Sequence, residues 1–370
     1  MFHANFYMKH QTCFFELISI SLGHREMLSC VPTAEDWRAL YKMAQQQTLV
    51  GVLFTAVERL PAEQRPPREV LLPWFAYVEH LKVLNARINL RAVEAETYFV
   101  KNGFRTTILK GQGIATLYPY PERRVPGDID IWLEGGREKI YEFASRHHKL
   151  EGVNYQHIHY HLFEDAEVEV HITPNHLYAP LYNRRVQRYF QSVADEQFAH
   201  RTELPGGVGS ISVPTDEFNR FYILLHIYGH LFGEGIGLRQ VMDYYYVLRQ
   251  PSSAESRERT VHILTRTGML RFAQAMMWIQ QQVFGLEDEF LIVAPDEREG
   301  RFVLSEIMLS GNFGKYDERI DRRSHHKLLP RVWNSMKRNL KFVVRYPHEM
   351  LWDLPFRTWL WLWRKWHGWI

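Results

Sequence analysis

The spacing of apolar residues changes twice along this chain, and that change restricts the fold more than any other feature. From Thr33 to about Gly103 they recur at helical spacing, with Thr33 placed as an N-cap and Glu35 and Asp36 in the first turn. Pro61, Pro66 and Pro67 divide this region into a first helix or two and a long helix through "FAYVEHLKVLNARINLRAVEAETYFVKNG". Then the period falls to two. "RTTILKG" reads as a short strand running into a glycine turn, "DIDIWL" as another strand, and "REKIYEFASRHHK" as a helix. After it "QHIHYHLF" and "AEVEVHI" alternate strictly and are separated by Glu164 and Asp165, the signature of a hairpin. "GGVGSISV" suggests an edge strand. From Thr215 helical spacing returns and holds to the tryptophan-rich end. The expected fold class is α+β: a small mixed sheet of four or five strands in a core spanning 101–214, flanked by an N-terminal helical region, 1–100, and a C-terminal helical region, 215–370.

The strand "DIDIWL" raises the chemical question. Residues i and i+2 of a strand project to one face, so Asp128 and Asp130 stand side by side while Ile129, Ile131 and Leu133 face the other way. Adjacent carboxylates repel each other and are tolerated cheaply only where water or a divalent cation neutralises them. The hairpin offers a third acid, because Glu167, Glu169 and His171 share a face. Two aspartates on one strand and an acid on a neighbour can hold one or two Mg²⁺ or Mn²⁺ ions and leave the rest of the coordination shell to water and substrate phosphate, which suits phosphoryl or nucleotidyl transfer. In "LKGQG", Gly111 and Gly113 allow a tight turn with exposed amides, and a short helix through "IATLY" aims its N-terminus at an anion. Lys110, Gln112, Arg123 and Arg124 lie in the same region, the cations adding full charges for phosphates.

The order of these blocks carries a resemblance. Gly111 to Gly113, then "GDIDIW", then "VEVH" resemble the DNA polymerase β-type nucleotidyltransferase superfamily, and "LKGQGIATLYP", "GDIDIWL", "VEVHI", "LRQVMDYYYVL" and "LSGNFG" are similar, from about Leu109 to Gly314, to an uncharacterised bacterial nucleotidyltransferase family. The resemblance implies a transferase of phosphorus-containing groups, with Asp128 and Asp130 as metal ligands, Glu169 as the third acid and Gly111 and Gly113 as phosphate-turn glycines. It implies an NTP as substrate, while the sequence leaves the acceptor open among a protein, an RNA end and a small molecule. Two departures stand out: Gln112 separates the glycines, and the third acid is a glutamate. They keep open an inactive nucleotide-binding or regulatory module. An Asp-x-Asp glycosyltransferase is a further alternative, although no long βαβ series precedes Asp128.

Other residues have competing readings. His157, His159 and His161 share a strand face that is either solvated or turned to a metal or phosphate, and the hairpin register decides: Glu169 falls opposite Tyr160 with a two-residue turn and opposite His161 with a three-residue turn. His226 and His230 sit four apart on an apolar helix, as packed residues, a zinc pair or nucleotide contacts. Arg239 and Asp243 read as a helix ion pair, Trp132 as packing or a base-stacking surface, and "SGNFGKYDER" as a connecting loop or a lid.

Composition narrows the class. A net charge of +3 announces no dedicated nucleic-acid surface, and two cysteines, Cys13 and Cys30, are too few for a disulfide framework and suit a reducing cytoplasm. Glu16 interrupts the opening apolar run, which is therefore not read as a signal peptide. "FRTWLWLWRKWHGWI" reads as a helix that docks on the core, on a second subunit or on a membrane surface.

Overall fold

A computed structural model describes residues 2–147, 152–317 and 340–369. The chain opens with helices α1 (Phe2–Leu22), α2 (Ala34–Gln46), α3 (Val50–Arg59) and the long α4 (Arg68–Lys101). Thr33 caps α2 reciprocally: its hydroxyl accepts from the Asp36 backbone N–H, and the Asp36 carboxylate accepts from the Thr33 N–H. Strand β1 (Thr106–Leu109) leads into a one-turn helix, α5 (Gly111–Ala115), then β2 (Ile129–Leu133), α6 (Gly136–His147), β3 (His157–His159) and β4 (Val168–His171). Of the helix expected through "REKIYEFASRHHK", His148 and Lys149 lie outside the described residues. Helix α7 (Pro180–Ala199) is followed by β5 (Arg201–Glu203), β6 (Ser210–Ser212), α8 (Asp216–Gly233), α9 (Leu238–Leu248), α10 (Ala254–Arg266), α11 (Leu270–Phe284), α12 (Glu297–Ser310) and, last among the described residues, α13 (Pro347–Trp366).

The architecture is α+β, with a mixed four-stranded sheet in the order β1-β2-β4-β3. β2 runs antiparallel to β1 and parallel to β4, and β3 is antiparallel to β4. The strand expected from "GGVGSISV" does form, but it pairs with β5 in a separate ribbon and adds no edge to the sheet.

Alternation gives the sheet two unlike faces. Ile108, Ile129, Ile131, Leu133, Ile158, Val168 and Val170 pack with Ile88, Ala92 and Phe99 of α4 and Ile140 of α6 in one apolar core. On the opposite face Leu109 and Trp132 belong to a second, larger core built by helices from both ends of the chain. Trp132 lies against Phe198 (4.7 Å between rings), Phe190 and Phe218, so its ring is packed under α7 and α8. The rest of that face is polar, and α8 and α9 close over it.

The loop leading to β2 is fastened from below. Asn85 of α4 donates to the carbonyls of Glu122 and Arg124 at 2.8 and 2.9 Å. Gly51 of α3 lies so close to this loop that a Cβ there would stand 2.0 Å from the Arg123 carbonyl oxygen, so only glycine fits.

The hairpin register differs from both expectations. Glu169 pairs with His159, Ile158 with Val170 and His157 with His171. Residues 161–167 form a longer connection because Arg91 of α4 grips Asp165 with two hydrogen bonds (3.0 and 3.1 Å) and covers Phe163 with its guanidinium. Asp165 is therefore held toward α4, and Glu164 and Asp165 do not make a tight turn. His157 and His159 join the acidic face, and His161 falls beyond the strand.

Candidate active site

The polar half of the sheet face, the start of α5, α8, α9 and Phe313 line a cleft of about 420 Å³. Lys110, Gly111, Arg124, Asp128, Asp130 and Glu169 all line it. Gln112 and Gly113 do not: Gln112 is buried, and a Cβ on Gly113 would meet the Val213 side chain at 2.8 Å on the far side of α5. Arg123 points away, paired with Glu58 at 2.6 Å.

Parallel pairing sets Asp130 of β2 directly beside Glu169 of β4. The sheet brings the ligand atoms of Asp130, Glu169 and His171 within 4.8 Å of one another, and likewise those of His157, His159 and Glu169. Asp130 is 2 % exposed, and its Oδ1 meets both the Lys110 ammonium, at 2.9 Å, and His171 Nε2, at 2.8 Å. Lys110 reaches it from a residue at φ +53°, a conformation that costs a non-glycine residue about 1 kcal/mol or more and persists where the surroundings enforce it. Burial alone would raise the Asp130 pKa, but Lys110 and the His171 hydrogen bond outweigh it and hold this carboxyl below the usual range.

His171 is the cationic partner that sequence reasoning passed over. Its Nδ1 faces the Thr173 carbonyl, an acceptor, and its Nε2 faces carboxylates, so both nitrogens carry protons. Burial opposes this charge, yet hydrogen bonds to Asp130 and Glu169 push its pKa up to about 9. The signal was present: in "VEVH", His171 shares the Glu169 face.

His157 is in the opposite state. Asn154 Oδ1 accepts from the Gln156 and His157 backbone N–H groups, which turns the Asn154 amide nitrogen toward His157 Nε2 at 2.6 Å as a donor. The proton of the neutral ring is therefore on Nδ1, 3.1 Å from Glu169 Oε2. Burial, then the neighbouring His171 charge, lower its pKa to about 3.

Asp128 carries the strain of the site. It is half-buried one pleat before Asp130, whose charge, followed by burial, pushes its pKa up to about 6. Three acids thus face two cations here. The donor set fits a hard divalent cation, since the Asp130 and Glu169 carboxylates converge, Asp128 stands beside them outside the converging group, and the three carry unneutralised negative charge. Tyr222 of α8, also missed in the sequence, has its hydroxyl buried without a partner, and Asp130, Asp128 and Glu169 add to the burial that raises its pKa.

The opposite wall is cationic and aromatic. Arg124 makes a two-point pair with Asp243 (2.7 and 2.8 Å), whose Oδ1 also accepts from Tyr118 at 2.7 Å. The helix pair expected between Arg239 and Asp243 is therefore replaced. Arg239 instead donates to the Val125 carbonyl, and its buried Nε has no partner. His226 and His230 face the cleft with rings 4.4 Å apart, both pushed down by burial, His230 to about 4. Phe313, at φ +52°, brings its ring 5.5 Å from His230. Its loop lies backbone to backbone on 234–235, where a Cβ on Gly314 would stand 2.1 Å from the Glu234 carbonyl oxygen. Glu318 and Arg319 of the expected lid segment lie outside the described residues.

Comparison with known proteins fits this geometry. A search of curated proteins finds no match. Among solved structures, an antigenic nucleotidyltransferase-like protein from Paracoccidioides brasiliensis is similar at 17% identity over 52% of this chain and 90% of its own, with a TM-score of 0.29, too low to carry an argument. The family described as "Uncharacterised nucleotidyltransferase" matches residues 33–285, a span that takes in β1, the acidic strands, α8 and α9. The chain belongs to this uncharacterised nucleotidyltransferase family.

Proposed function

We propose that this protein is a DNA polymerase β-type enzyme that moves a nucleoside monophosphate from an NTP to an acceptor hydroxyl and releases pyrophosphate, with Mg²⁺ or Mn²⁺ held by Asp128, Asp130 and Glu169. The observation that carries the reading is the pairing of Asp130 with Glu169, beside an Asp128 whose pKa is driven up by its neighbour's charge. A bound divalent cation supplies charge neutralisation for the reacting phosphate and a lower pKa for the attacking hydroxyl.

The chain's own residues supply the rest. Lys110 and Arg239 offer positive charge on two sides of the cleft, and the unpartnered Arg239 Nε is a donor for a phosphate oxygen. Gly111, at φ +38°, turns the chain into α5 at the cleft edge, where its backbone can approach the triphosphate. Glu169, with His157 Nδ1 at 3.1 Å and His171 Nε2 at 3.6 Å from its Oε2, would take the acceptor proton. His226, His230 and Phe313 form a surface on which a base or an aromatic acceptor stacks.

The test is incubation with each α-labelled NTP and Mg²⁺ or Mn²⁺ in lysate of the source cell, reading label transfer and pyrophosphate. Label moves in the wild type and not in Asp128→Asn or Asp130→Asn. Transfer by either variant at the wild-type rate would refute the assignment. One observation favours a second reading, a nucleotide-binding module without turnover: Lys110 and His171 already give Asp130 two cationic partners. Calorimetric NTP binding without pyrophosphate release from any acceptor pool selects that reading.

A further inference from the structure

Helix α13 is built inside out. Its inward face carries Glu349 and Asp353, the latter 2 % exposed, while Leu351 is 65 % and Trp366 88 % exposed. The acids are held by the protein. Glu349 accepts from the Tyr178 backbone N–H at 2.6 Å and the Ala179 N–H at 3.5 Å, and Asp353 pairs with Arg357 at 2.6 Å. Phe356 stacks on His176 and Tyr178, and Trp363 lies 6.3 Å from Tyr141, so the orientation of the helix is fixed by contacts along its length.

At 100° per residue the exposed side chains of α13 sweep an arc of roughly 180° that is apolar but for His348, Thr358 and Lys365, with Arg357 just beyond one edge. Leu351 and Leu362 lie near its middle. Trp352 and Trp359 lie toward one margin and Trp361 lies at the other, with the Lys365 ammonium 5.2 Å over the Trp361 ring. Six of the chain's eleven tryptophans fall between 352 and 369. Leucines in the centre with indoles at the margins and a cation among them is the pattern of a helix lying in a bilayer interface, where aliphatic groups enter the acyl boundary and indoles sit at headgroup level. No described helix is long and apolar enough to cross a membrane, so the mode is lying on the surface, not spanning it.

Charge selects the occupant. Within 340–369 the acidic residues, Glu349 and Asp353, are both buried; Arg357 is paired with Asp353 and Lys341 with Glu306, which leaves Lys365 as the exposed cation on the outward arc. The outward face thus presents a cation and no acid, a sign that anionic headgroups complement.

We infer that the outward face of α13 binds an anionic lipid surface through Leu351, Leu354, Leu362, Trp361 and Trp366, with Lys365 at the headgroups. The test uses the full chain, floated with phosphatidylcholine vesicles with and without phosphatidylglycerol, beside a Leu351→Ser, Leu362→Ser, Trp366→Ser variant. All three side chains are exposed, so far-UV circular dichroism and melting should match the wild type. The wild type should float with phosphatidylglycerol vesicles, shift its tryptophan emission to the blue and release at high salt. The variant should bind roughly tenfold more weakly or worse. No flotation of the wild type with either vesicle, or equal flotation of the variant, would overturn the inference. So would a concentration-dependent dimer that the same variant disperses, since a second copy would then own this face.

Discussion

Two clusters of buried charge face each other across the cleft, and they are balanced differently. Arg124, Asp243 and Tyr118 form a closed set: one cation, one anion and a hydroxyl donor, with both carboxylate oxygens bonded. Burial opposes the Asp243 charge, Arg124 outweighs it, and the carboxyl is held below its usual range. Asp128, Asp130 and Glu169 against Lys110 and His171 form an open set with one negative charge to spare. A closed pair is what structure needs, because a buried ion without a partner costs several kcal/mol. An open one is what a cation or a phosphate-bearing substrate needs. The contrast lets the sites be told apart by experiment.

The largest expected effect is on transfer. Asp130→Asn should lower it by at least about 10³-fold, or about 4 kcal/mol of transition-state stabilisation, in the labelled-NTP assay. Asp243→Asn should fold less well but retain transfer at temperatures where it is folded. If the two variants lost transfer equally while both stayed folded, the distinction between the clusters would fail.

Stability should show the reverse. Asp243→Asn leaves Arg124 charged and buried without its counter-ion, and the expected loss is about 3–5 kcal/mol in urea unfolding. Replacing both partners with apolar groups should recover much of it, because the orphaned charge goes too.

His171 sits between these extremes. Its folded pKa, about 9, lies above the ordinary histidine value of 6.5, so its contribution is fully present below pH 6.5 and is lost as pH rises to 9. His171→Gln keeps a hydrogen-bond donor and removes the charge. It should cost about 3 kcal/mol at pH 6 and erase the decline in wild-type stability between pH 6.5 and 9, measured by denaturant melts in chelator. A decline of the same size in the variant would place the titration elsewhere.

The contrast also marks how far the sequence could be read. Strand alternation announced the Ile129, Ile131 and Leu133 face and with it Asp128 and Asp130, because a period of two is a local property. Helices returned from Thr215, whose hydroxyl accepts from the Phe218 N–H at the start of α8. Pairing across long separations was not legible. Asp243 has a cation four residues before it, but its partner is Arg124, and the hairpin register was set by Arg91 reaching Asp165 from α4. Lys110 enters the cleft through a positive φ that no spacing rule announces for a lysine. The acids were visible one by one, whereas their charge balance depended on which cations the fold brought to them.

Asp128 gives the smallest effect and the finest test of that balance. Its folded pKa, about 6, stands above the usual aspartate value of 3.8, so between those pH values the folded protein holds a proton that the unfolded chain has released. Stability therefore declines as pH rises through this window, and above pH 6 the whole cost stands. Asp128→Asn removes that cost. Because the side chain is half-buried and solvent screens part of the repulsion, the gain at pH 7.5 in chelator should be only about 1 kcal/mol, read as a rise in melting temperature. Added Mg²⁺ should then stabilise the wild type more than the variant, since the cation finds its excess charge in the one and not in the other. If Asp128→Asn instead lowered the melting temperature in chelator, Asp128 would be a paired structural acid like Asp243, and the two sides of the cleft would be alike.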